Sequence, residues 1–197
     1  MLVSDGWVKK YVLVYRMPDG RRYEYESISR KPLERYWAQL EANARGERPQ
    51  CDAVCIVPEL PDGSLVLIRE FRYPLNAYCV AFPAGLIEAG EDLAQAVDRE
   101  LREEVGCRLR TDVTCPLRPL PQSGYSSTGL SEESVQVVFA QVERAGDAHP
   151  EPSELIEPFT IARSDVRSFL RGNTDGIGTR AQLILELIAC EAGSDEG

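Results

Sequence analysis

Residues 85–107 read GLIEAGEDLAQAVDRELREEVGC and contain the strongest helical pattern in the chain, from Leu93 to Val105. At a rotation of about 100° per residue, four apolar side chains form one stripe that we expect to face the core. They are Leu93, Val97, Leu101 and Val105. Glu104 falls inside this stripe, Glu100 lies at its edge and Glu103 lies just beyond it. The glutamates of this helix are therefore not a simple surface charge run.

The position of these carboxylates indicates a bound cation. Clustered carboxylates repel one another, and burial would neutralise them unless a cation compensates their charge. Hard oxygen ligands favour Mg²⁺, with Mn²⁺ as the alternative. The competing interpretation is a solvated helix held by ion pairs four residues apart, such as Arg99 with Glu103. The same rotation places five residues on the solvated side: Asp92, Gln95, Asp98, Arg99 and Arg102.

Length and charge limit the classes of function. The 197 residues suit one domain with attached elements. The net charge of -10 argues against binding to nucleic acid or to an anionic membrane surface. No stretch approaches the roughly 18 apolar residues of a membrane span, and the start MLVSDGWVKK lacks the apolar core of a signal peptide. We therefore expect a cytoplasmic protein.

Cysteine and histidine usage leaves carboxylates as the candidate metal ligands and bases. The six cysteines include no CxxC pair, so we expect buried free thiols rather than disulfides or a zinc cluster. His149 is the only histidine and has no motif around it. We therefore do not expect a histidine-based catalytic triad or a His-rich metal site.

The order of predicted elements favours an α+β fold. A hairpin is predicted from Trp7–Tyr15 and Arg22–Ile28, followed by a helix that starts at Pro32 and ends at Gly46. Core strands are predicted at Asp52–Val57, Ser64–Ile68, Cys79–Phe82 and Val135–Val142. Two more helices are predicted: Asp165–Leu170, capped by Ser164, and Arg180–Ala192, with Leu183, Ile184, Leu187 and Ile188 on one face. This pattern is typical of an α/β/α sandwich around a mixed sheet, which we place at residues 51–197. Residues 1–50 would form an N-terminal β-hairpin arm and a short helix, which we expect to serve dimerisation.

The helix and its preceding loop also match a known motif. The motif is Gly, five residues, Glu, seven residues, then Arg-Glu-aliphatic-x-Glu-Glu-x-Gly-hydrophobic. It is met by Gly85, Glu91, Arg99, Glu100, Leu101, Glu103, Glu104, Gly106 and Cys107. Only Cys107 departs mildly, because the family usually has an aliphatic residue there. The sequence resembles the Nudix hydrolases, which cleave diphosphate bonds, and the resemblance implies the Nudix form of the sandwich.

The resemblance assigns roles around this motif. Metal coordination falls to the backbone carbonyl of Ala84 and to the carboxylates of Glu100, Glu103 and Glu104. Glu103 and Glu104 also count as catalytic. Glu91 and Arg99 would support these ligands, and Gly85 would let the loop approach the metal and the diphosphate closely, unless it is an ordinary loop glycine.

Two segments before the motif resemble the ADP-ribose pyrophosphatase branch of the family: REFRYP at residues 69–74 and FPAG at residues 82–85. Arg72 would contact the substrate diphosphate, for which a planar fork of donors is suited, and Leu86 is also assigned to substrate binding. The alternative for Arg72 is a surface arginine beside a turn. Ala81 stands where the family commonly has a glutamate, which leaves the identity of the substrate open.

The loop Gly124–Glu133 resembles the mobile loop in which this branch places a catalytic glutamate. Glu133 aligns best as that general base, and Glu132 is the alternative. A solvated hairpin tip is the competing interpretation of this segment.

The arm segment Tyr25–Arg30 resembles the arm that ADP-ribose pyrophosphatases exchange across a two-fold axis, which implies a homodimer. There Tyr25 would stack on the adenine, although the usual residue is tryptophan, and Arg30 would reach the substrate across the interface. Tyr25 as an ordinary strand aromatic is the alternative.

The expected function is metal-dependent hydrolysis of a nucleoside diphosphate sugar, with ADP-ribose giving AMP and ribose 5-phosphate. Another nucleotide sugar or a dinucleotide is the alternative substrate. A non-catalytic nucleotide-sugar sensor is the alternative from another class, but such proteins usually show a broken motif or an added DNA-binding region. This chain shows neither.

Overall fold

The computed structural model describes residues 2–48 and 50–192. The described residues divide into two compact units, residues 2–48 and 50–53 with 123–136, and residues 54–122 with 137–192. Within the described ranges, no helix combines the length and the apolar character needed to cross a membrane.

The first unit contains the elements β1 (Leu2–Asp5), β2 (Lys9–Arg16), β3 (Arg22–Ser29), α1 (Leu33–Ala44) and β10 (Gly124–Tyr125), which pairs with Ser134 and Val135. The predicted hairpin lies in an antiparallel sheet of order β1-β2-β3. The hairpin register runs from Lys9 opposite Ser29 to Arg16 opposite Arg22. The helix α1 begins directly after Pro32, as predicted. The presence of an N-terminal antiparallel hairpin is therefore confirmed.

The second unit contains a mixed sheet. Its strands are β4 (Ala53–Glu59), β5 (Leu65–Arg72), β6 (Ala77–Ala81), β7 (Ala84–Leu86), β8 (Cys107–Leu109), β9 (Leu117–Pro119), β11 (Ser134–Arg144), β12 (Ile156–Ile161) and β13 (Gly176–Ile177). The sheet has the order β11-β4-β5-β6-β13, in which β13 is parallel to β6, and β12 pairs with residues 65–70 of β5. Its helices are α2 (Leu93–Val105), α3 (Val166–Gly172) and α4 (Thr179–Ala192), with short 3-10 helices at Tyr73–Leu75 and Arg163–Asp165.

Helices cover this sheet as the α+β prediction requires. Alternate residues of β4 and β5 share one buried cluster with α2, because successive strand side chains point to opposite faces. The cluster includes Val54, Ile56, Val66, Ile68, Ala96, Val97, Leu101 and Val105. The intervening strand residues Cys55, Val57, Leu65 and Leu67 are also buried. The helix α4 contacts β6 and α3. The predicted fold class is confirmed.

The helix α2 has the predicted bounds because both of its ends are encoded locally. Asp92 Oδ1 accepts a hydrogen bond from Gln95 N, and Gln95 Oε1 accepts one from Asp92 N, both at 2.9 Å. This reciprocal pair satisfies two backbone donors that a helix start leaves free. Gly106 ends the helix with φ of 61°, a left-handed conformation that favours glycine.

Two predictions about the C-terminal helices are wrong. Ser164 does not cap α3: Asp165 holds the cap position in a helical conformation, and Ser164 Oγ instead donates to Asp165 Oδ1 at 3.3 Å. The reason is that the chain enters α3 through a 3-10 helix. In α4, Leu183 and Leu187 are exposed. Its buried residues are Ala181, Leu185, Ile188 and Ala189. Because both sides of α4 carry apolar residues, contacts with other elements determine which side is buried.

The prediction of buried free thiols is correct for half of the cysteines. Cys55, Cys79 and Cys107 are buried, whereas Cys115 and Cys190 are exposed. Composition alone did not distinguish these environments.

Candidate active site

The three predicted metal-binding glutamates lie in the last two turns of α2. Glu104 is 3% exposed and Glu100 is 7% exposed, although both are acidic. Glu103 is the outermost, with 44% of its side chain exposed. The predicted position of Glu104 in the apolar stripe is confirmed, and Glu100 at the edge is buried as well.

The loop before α2 fits closely against these carboxylates. The backbone N–H of Ala84 donates a hydrogen bond of 3.0 Å to Glu104 Oε2. A Cβ atom on residue 85 would lie 1.7 Å from Glu100 Oε1, so only glycine leaves room for this carboxylate. The predicted close approach at Gly85 is therefore present, and what approaches is the side chain of Glu100.

Arg99 forms hydrogen bonds with three of the carboxylates around this loop and helix. Its guanidinium donates to Glu91 Oε1 (2.8 Å) and Oε2 (3.0 Å), Glu100 Oε1 (2.8 Å), Glu103 Oε2 (3.1 Å) and the backbone oxygen of Leu86 (2.9 Å). Only 25% of the side chain is exposed. The prediction that Arg99 lies on the solvated side is wrong, because its long side chain turns back across the helix toward the carboxylates.

Burial dominates the electrostatics of this cluster. Desolvation, and next the charge of Glu100, raise the pKa of Glu104 well above its usual range. Desolvation also raises the pKa of Glu100, against the lowering effect of Arg99. In contrast, the hydrogen bonds from Arg99 lower the pKa of Glu91. One arginine therefore does not stabilise all of the negative charge, and a divalent cation would complete the balance.

The donor set fits a hard cation, but the side chains are not arranged around one. Among residues 2–48 and 50–192, no three acidic, cysteine or histidine side chains converge on a common point suitable for a metal. Carboxylate and carbonyl oxygens are nevertheless the ligands that magnesium and manganese prefer.

Sequence reasoning missed two further carboxylates near Glu104. Glu70 on β5 is 8% exposed and forms a 2.7 Å ion pair with Arg72, the predicted diphosphate ligand. The charges of Glu70 and Glu154 both contribute to the raised pKa of Glu104. Ile156 pairs with Glu70 in the register of β12 and β5, which brings the preceding Glu154 to this end of the sheet. Glu70 lies inside the REFRYP segment, whereas no motif surrounds Glu154.

The other predicted site residues belong to the first unit. Arg30 forms an ion pair with Glu133, which also accepts a 2.9 Å hydrogen bond from Ser126 Oγ. Tyr25 donates from its hydroxyl to the backbone oxygen of Gly129 at 2.6 Å. The arm and the Gly124–Glu133 loop are thus in contact, but the roles of these residues stay predictions.

The two candidate bases in this loop differ in environment. Glu132 is 8% exposed and accepts hydrogen bonds from Ser29 Oγ at 2.5 Å and Lys31 Nζ at 3.3 Å. Glu133 is more accessible, with 25% of its side chain exposed.

Comparison with known proteins identifies the family. Residues 49–173, more than half of the chain, match the NUDIX domain. The chain is 28% identical to the ADP-sugar pyrophosphatase of Mus musculus over 94% of this chain and 79% of that protein. It is 27% identical to the ADP-ribose pyrophosphatase of Saccharomyces cerevisiae over 79% of this chain and 64% of that protein. It is 36% identical to the ADP compounds hydrolase NudE of Escherichia coli over 54% of this chain and 51% of that protein.

A solved structure has the same fold. The crystal structure of an ADP compounds hydrolase aligns with all of this chain and 92% of its own, with a TM-score of 0.71 and 23% identity. Since the motif, the geometry around Arg99 and these similarities agree, the chain belongs to the Nudix family of hydrolases, within which it is similar to the ADP-ribose and ADP-sugar pyrophosphatases.

Proposed function

We propose that this enzyme hydrolyses the diphosphate bond of a nucleoside diphosphate sugar, with ADP-ribose as the first candidate and AMP and ribose 5-phosphate as its products. The observation that carries this proposal is the set of buried glutamates that Arg99 and Gly85 hold on α2. The similarity to pyrophosphatases named for ADP-sugars and ADP-ribose supports the choice of substrate.

The carboxylates of Glu100, Glu103 and Glu104, with the carbonyl of Ala84, would hold Mg²⁺, or Mn²⁺ in its place. Divalent ions bound there would neutralise the charge that develops on the diphosphate. Arg99 would keep the carboxylates in place, since it contacts both Glu100 and Glu103. Members of this family generally use divalent metal ions, which supports this assignment.

Four residues are assigned to substrate binding from the family resemblance: Tyr25, Arg30, Arg72 and Leu86. Arg72 is accessible, with 44% of its side chain exposed, and its fork of donors suits a diphosphate. The pairing of Arg72 with buried Glu70 would fix the direction of this fork. The hydroxyl of Tyr25 is held by Gly129, which would hold its ring for stacking.

Glu133 is our proposed general base, with Glu132 as the alternative. The greater exposure of Glu133 supports this order, because a base must reach solvent and substrate. A homodimer that exchanges the N-terminal arm, and a cytoplasmic location, stay predictions from the sequence.

A second candidate function is hydrolysis of another nucleotide sugar or of a dinucleotide. The similarity to the Escherichia coli ADP compounds hydrolase favours this alternative, and so does the absence of a glutamate at Ala81. A non-catalytic sensor is disfavoured by the intact motif.

Incubation of the purified protein with Mg²⁺ and a panel of substrates tests the proposal. The panel contains ADP-ribose, other nucleotide sugars and dinucleotides, and products are identified by mass spectrometry. AMP and ribose 5-phosphate from ADP-ribose, at the highest kcat/KM of the panel, are expected. Chelation of the metal should stop turnover. If the metal-loaded protein cleaves no diphosphate compound, and Glu104→Gln behaves identically, the proposal is wrong.

A further inference from the structure

The second unit contains a cavity of about 320 Å³ on the face of the sheet opposite α2. Val138 and Val142 of β11 belong to the cluster that packs on α2. Phe139 alternates with them along the strand, so its side chain points to the other face, where it lines the cavity. Ile184 and Leu187 of α4 line it as well. None of the lining residues is assigned above to the metal, the substrate or the general base, so this cavity is separate from the candidate active site.

Apolar side chains form much of the cavity wall. Val57 and Ile188 are buried, whereas Leu187 is 65% exposed. This exposed apolar surface is available to cover the apolar part of a ligand. The volume lies at the lower end of the range for small-molecule sites, so we expect a small ligand.

Four charged side chains line the same cavity, and two of them neutralise each other. Arg163 forms an ion pair with Glu59. Arg118 lies opposite Phe139 in the register of β9 and β11, and its Cζ atom is 4.2 Å from the centroid of that ring. Within the described part of the chain, Arg118 forms no hydrogen bond or ion pair, so the donors of its guanidinium remain available to a ligand.

Glu191, in the last turn of α4, is the fourth charged side chain at the cavity. It is exposed, and no ion pair joins it to Arg118 or to any other residue that the structure describes. The cavity thus presents one unpaired positive charge and one unpaired negative charge beside apolar surface. An anionic ligand would leave Glu191 without a partner, a cationic ligand would do the same to Arg118, and desolvation of an unpaired charge is costly. A zwitterion satisfies both side chains.

We propose that this cavity binds a free α-amino acid with an aliphatic side chain. Its carboxylate accepts hydrogen bonds from Arg118, its ammonium group lies against Glu191, and its side chain contacts the apolar wall at Leu187. The proposal goes beyond the diphosphate hydrolysis and does not depend on it, because no residue of α2 takes part.

Calorimetric titration of the purified protein with L-leucine and two of its analogues tests the proposal. Leucinamide lacks the carboxylate charge and isocaproate lacks the ammonium group, while both keep the aliphatic chain. L-leucine should bind at least about tenfold more tightly than either analogue, because each analogue loses one charge-assisted contact. The proposal is overturned if L-leucine does not bind, or if one of the analogues binds as tightly.

Two charge variants test the assigned partners. Arg118→Gln and Glu191→Gln each remove one charge at the cavity and should weaken binding of L-leucine about tenfold. The matched controls are Arg171→Gln and Glu186→Gln, which change exposed residues of α3 and α4 that do not line the cavity. Both controls should keep the wild-type affinity, and an equal loss in controls and cavity variants would contradict the proposal.

A further pair of variants changes the apolar wall and keeps the test decisive if Arg118→Gln fails to fold. Leu187→Ser should weaken binding of L-leucine roughly several-fold, because the ligand loses apolar contact. Leu183→Ser is its control: Leu183 is 61% exposed on the same helix and does not line the cavity. Thermal unfolding checks that each variant folds. A smaller mass of Leu187→Ser in light scattering would show that a second copy of the chain covers this surface, and would also overturn the proposal.

Discussion

The carboxylate of Glu100 occupies the volume that a side chain on Gly85 would need, with all three carboxylate atoms within 2.6 Å of an added Cβ. The strand β7 and the helix α2, which are separate in sequence, therefore fit together only because residue 85 has no side chain.

Gly85→Ala should displace the Glu100 carboxylate and lower kcat/KM on the order of 100-fold, because small displacements of catalytic groups cost this much. Steady-state kinetics with ADP-ribose measure the loss. Gly172→Ala is the matched control: an added Cβ meets nothing within 4 Å there. Wild-type activity in Gly85→Ala would show that the position of Glu100 does not matter for turnover.

Arg99→Lys should lower kcat/KM roughly 10- to 100-fold, as expected for a residue that orients metal ligands. Lysine keeps the charge, but it cannot contact Glu91, Glu100 and Glu103 together as the guanidinium fork does. Arg102→Lys is the control, because Arg102 is 53% exposed and pairs only with Asp98 among the described ion pairs. Equal activities of the two variants would contradict an orienting role.

Glu104→Gln should nearly abolish turnover and should also change how stability depends on pH. Burial raises the pKa of Glu104 in the folded protein, so its protonated form stabilises the fold relative to the ionised form. In metal-free protein this contribution is present at low pH and is lost as the pH rises through the raised pKa. Glutamine does not titrate. The free energy of unfolding of the variant should therefore increase relative to that of wild type as the pH rises.

Urea unfolding in the presence of a chelator, at a series of pH values, measures this difference. Exposed Glu88 replaced by Gln serves as the control. Parallel stability profiles for wild type and Glu104→Gln would contradict the effect of burial, and unchanged activity would refute the role of Glu104.

Glu133→Gln should lower kcat by about 10²–10⁴-fold with little effect on KM, the usual range for loss of a general base. Glu143→Gln, which removes the ion pair between Glu143 on β11 and Arg108 on β8, should remain active. A large loss in Glu132→Gln together with retained activity in Glu133→Gln would transfer the role to Glu132.

Local sequence predicts the part of the site that lies on one helix. The bounds of α2 follow from the Asp92–Gln95 capping pair and from Gly106, and the burial of Glu104 follows from helical rotation alone. These features depend on residues a few positions apart, so they can be predicted from the sequence without the structure.

Features that depend on tertiary packing were not predictable. Glu154 comes near Glu104 only through the pairing of β12 with β5, across a gap that no local pattern spans. The buried face of α4 was mistaken because Leu183 and Leu185 are equally apolar, and contacts with other elements select Leu185. Arg99 was misplaced because rotation gives the direction of Cβ, not the path of a long side chain.

The hydrogen bond from the Ala84 amide to Glu104 makes one backbone proton a spectroscopic probe of the buried carboxylate cluster on α2. Protonation of the Glu104 carboxylate, or its recruitment by a cation, would alter the acceptor of that single N–H. The chemical shift and solvent exchange rate of the Ala84 amide in NMR spectra of isotope-labelled protein would then record the state of a buried glutamate that absorbance and fluorescence cannot see.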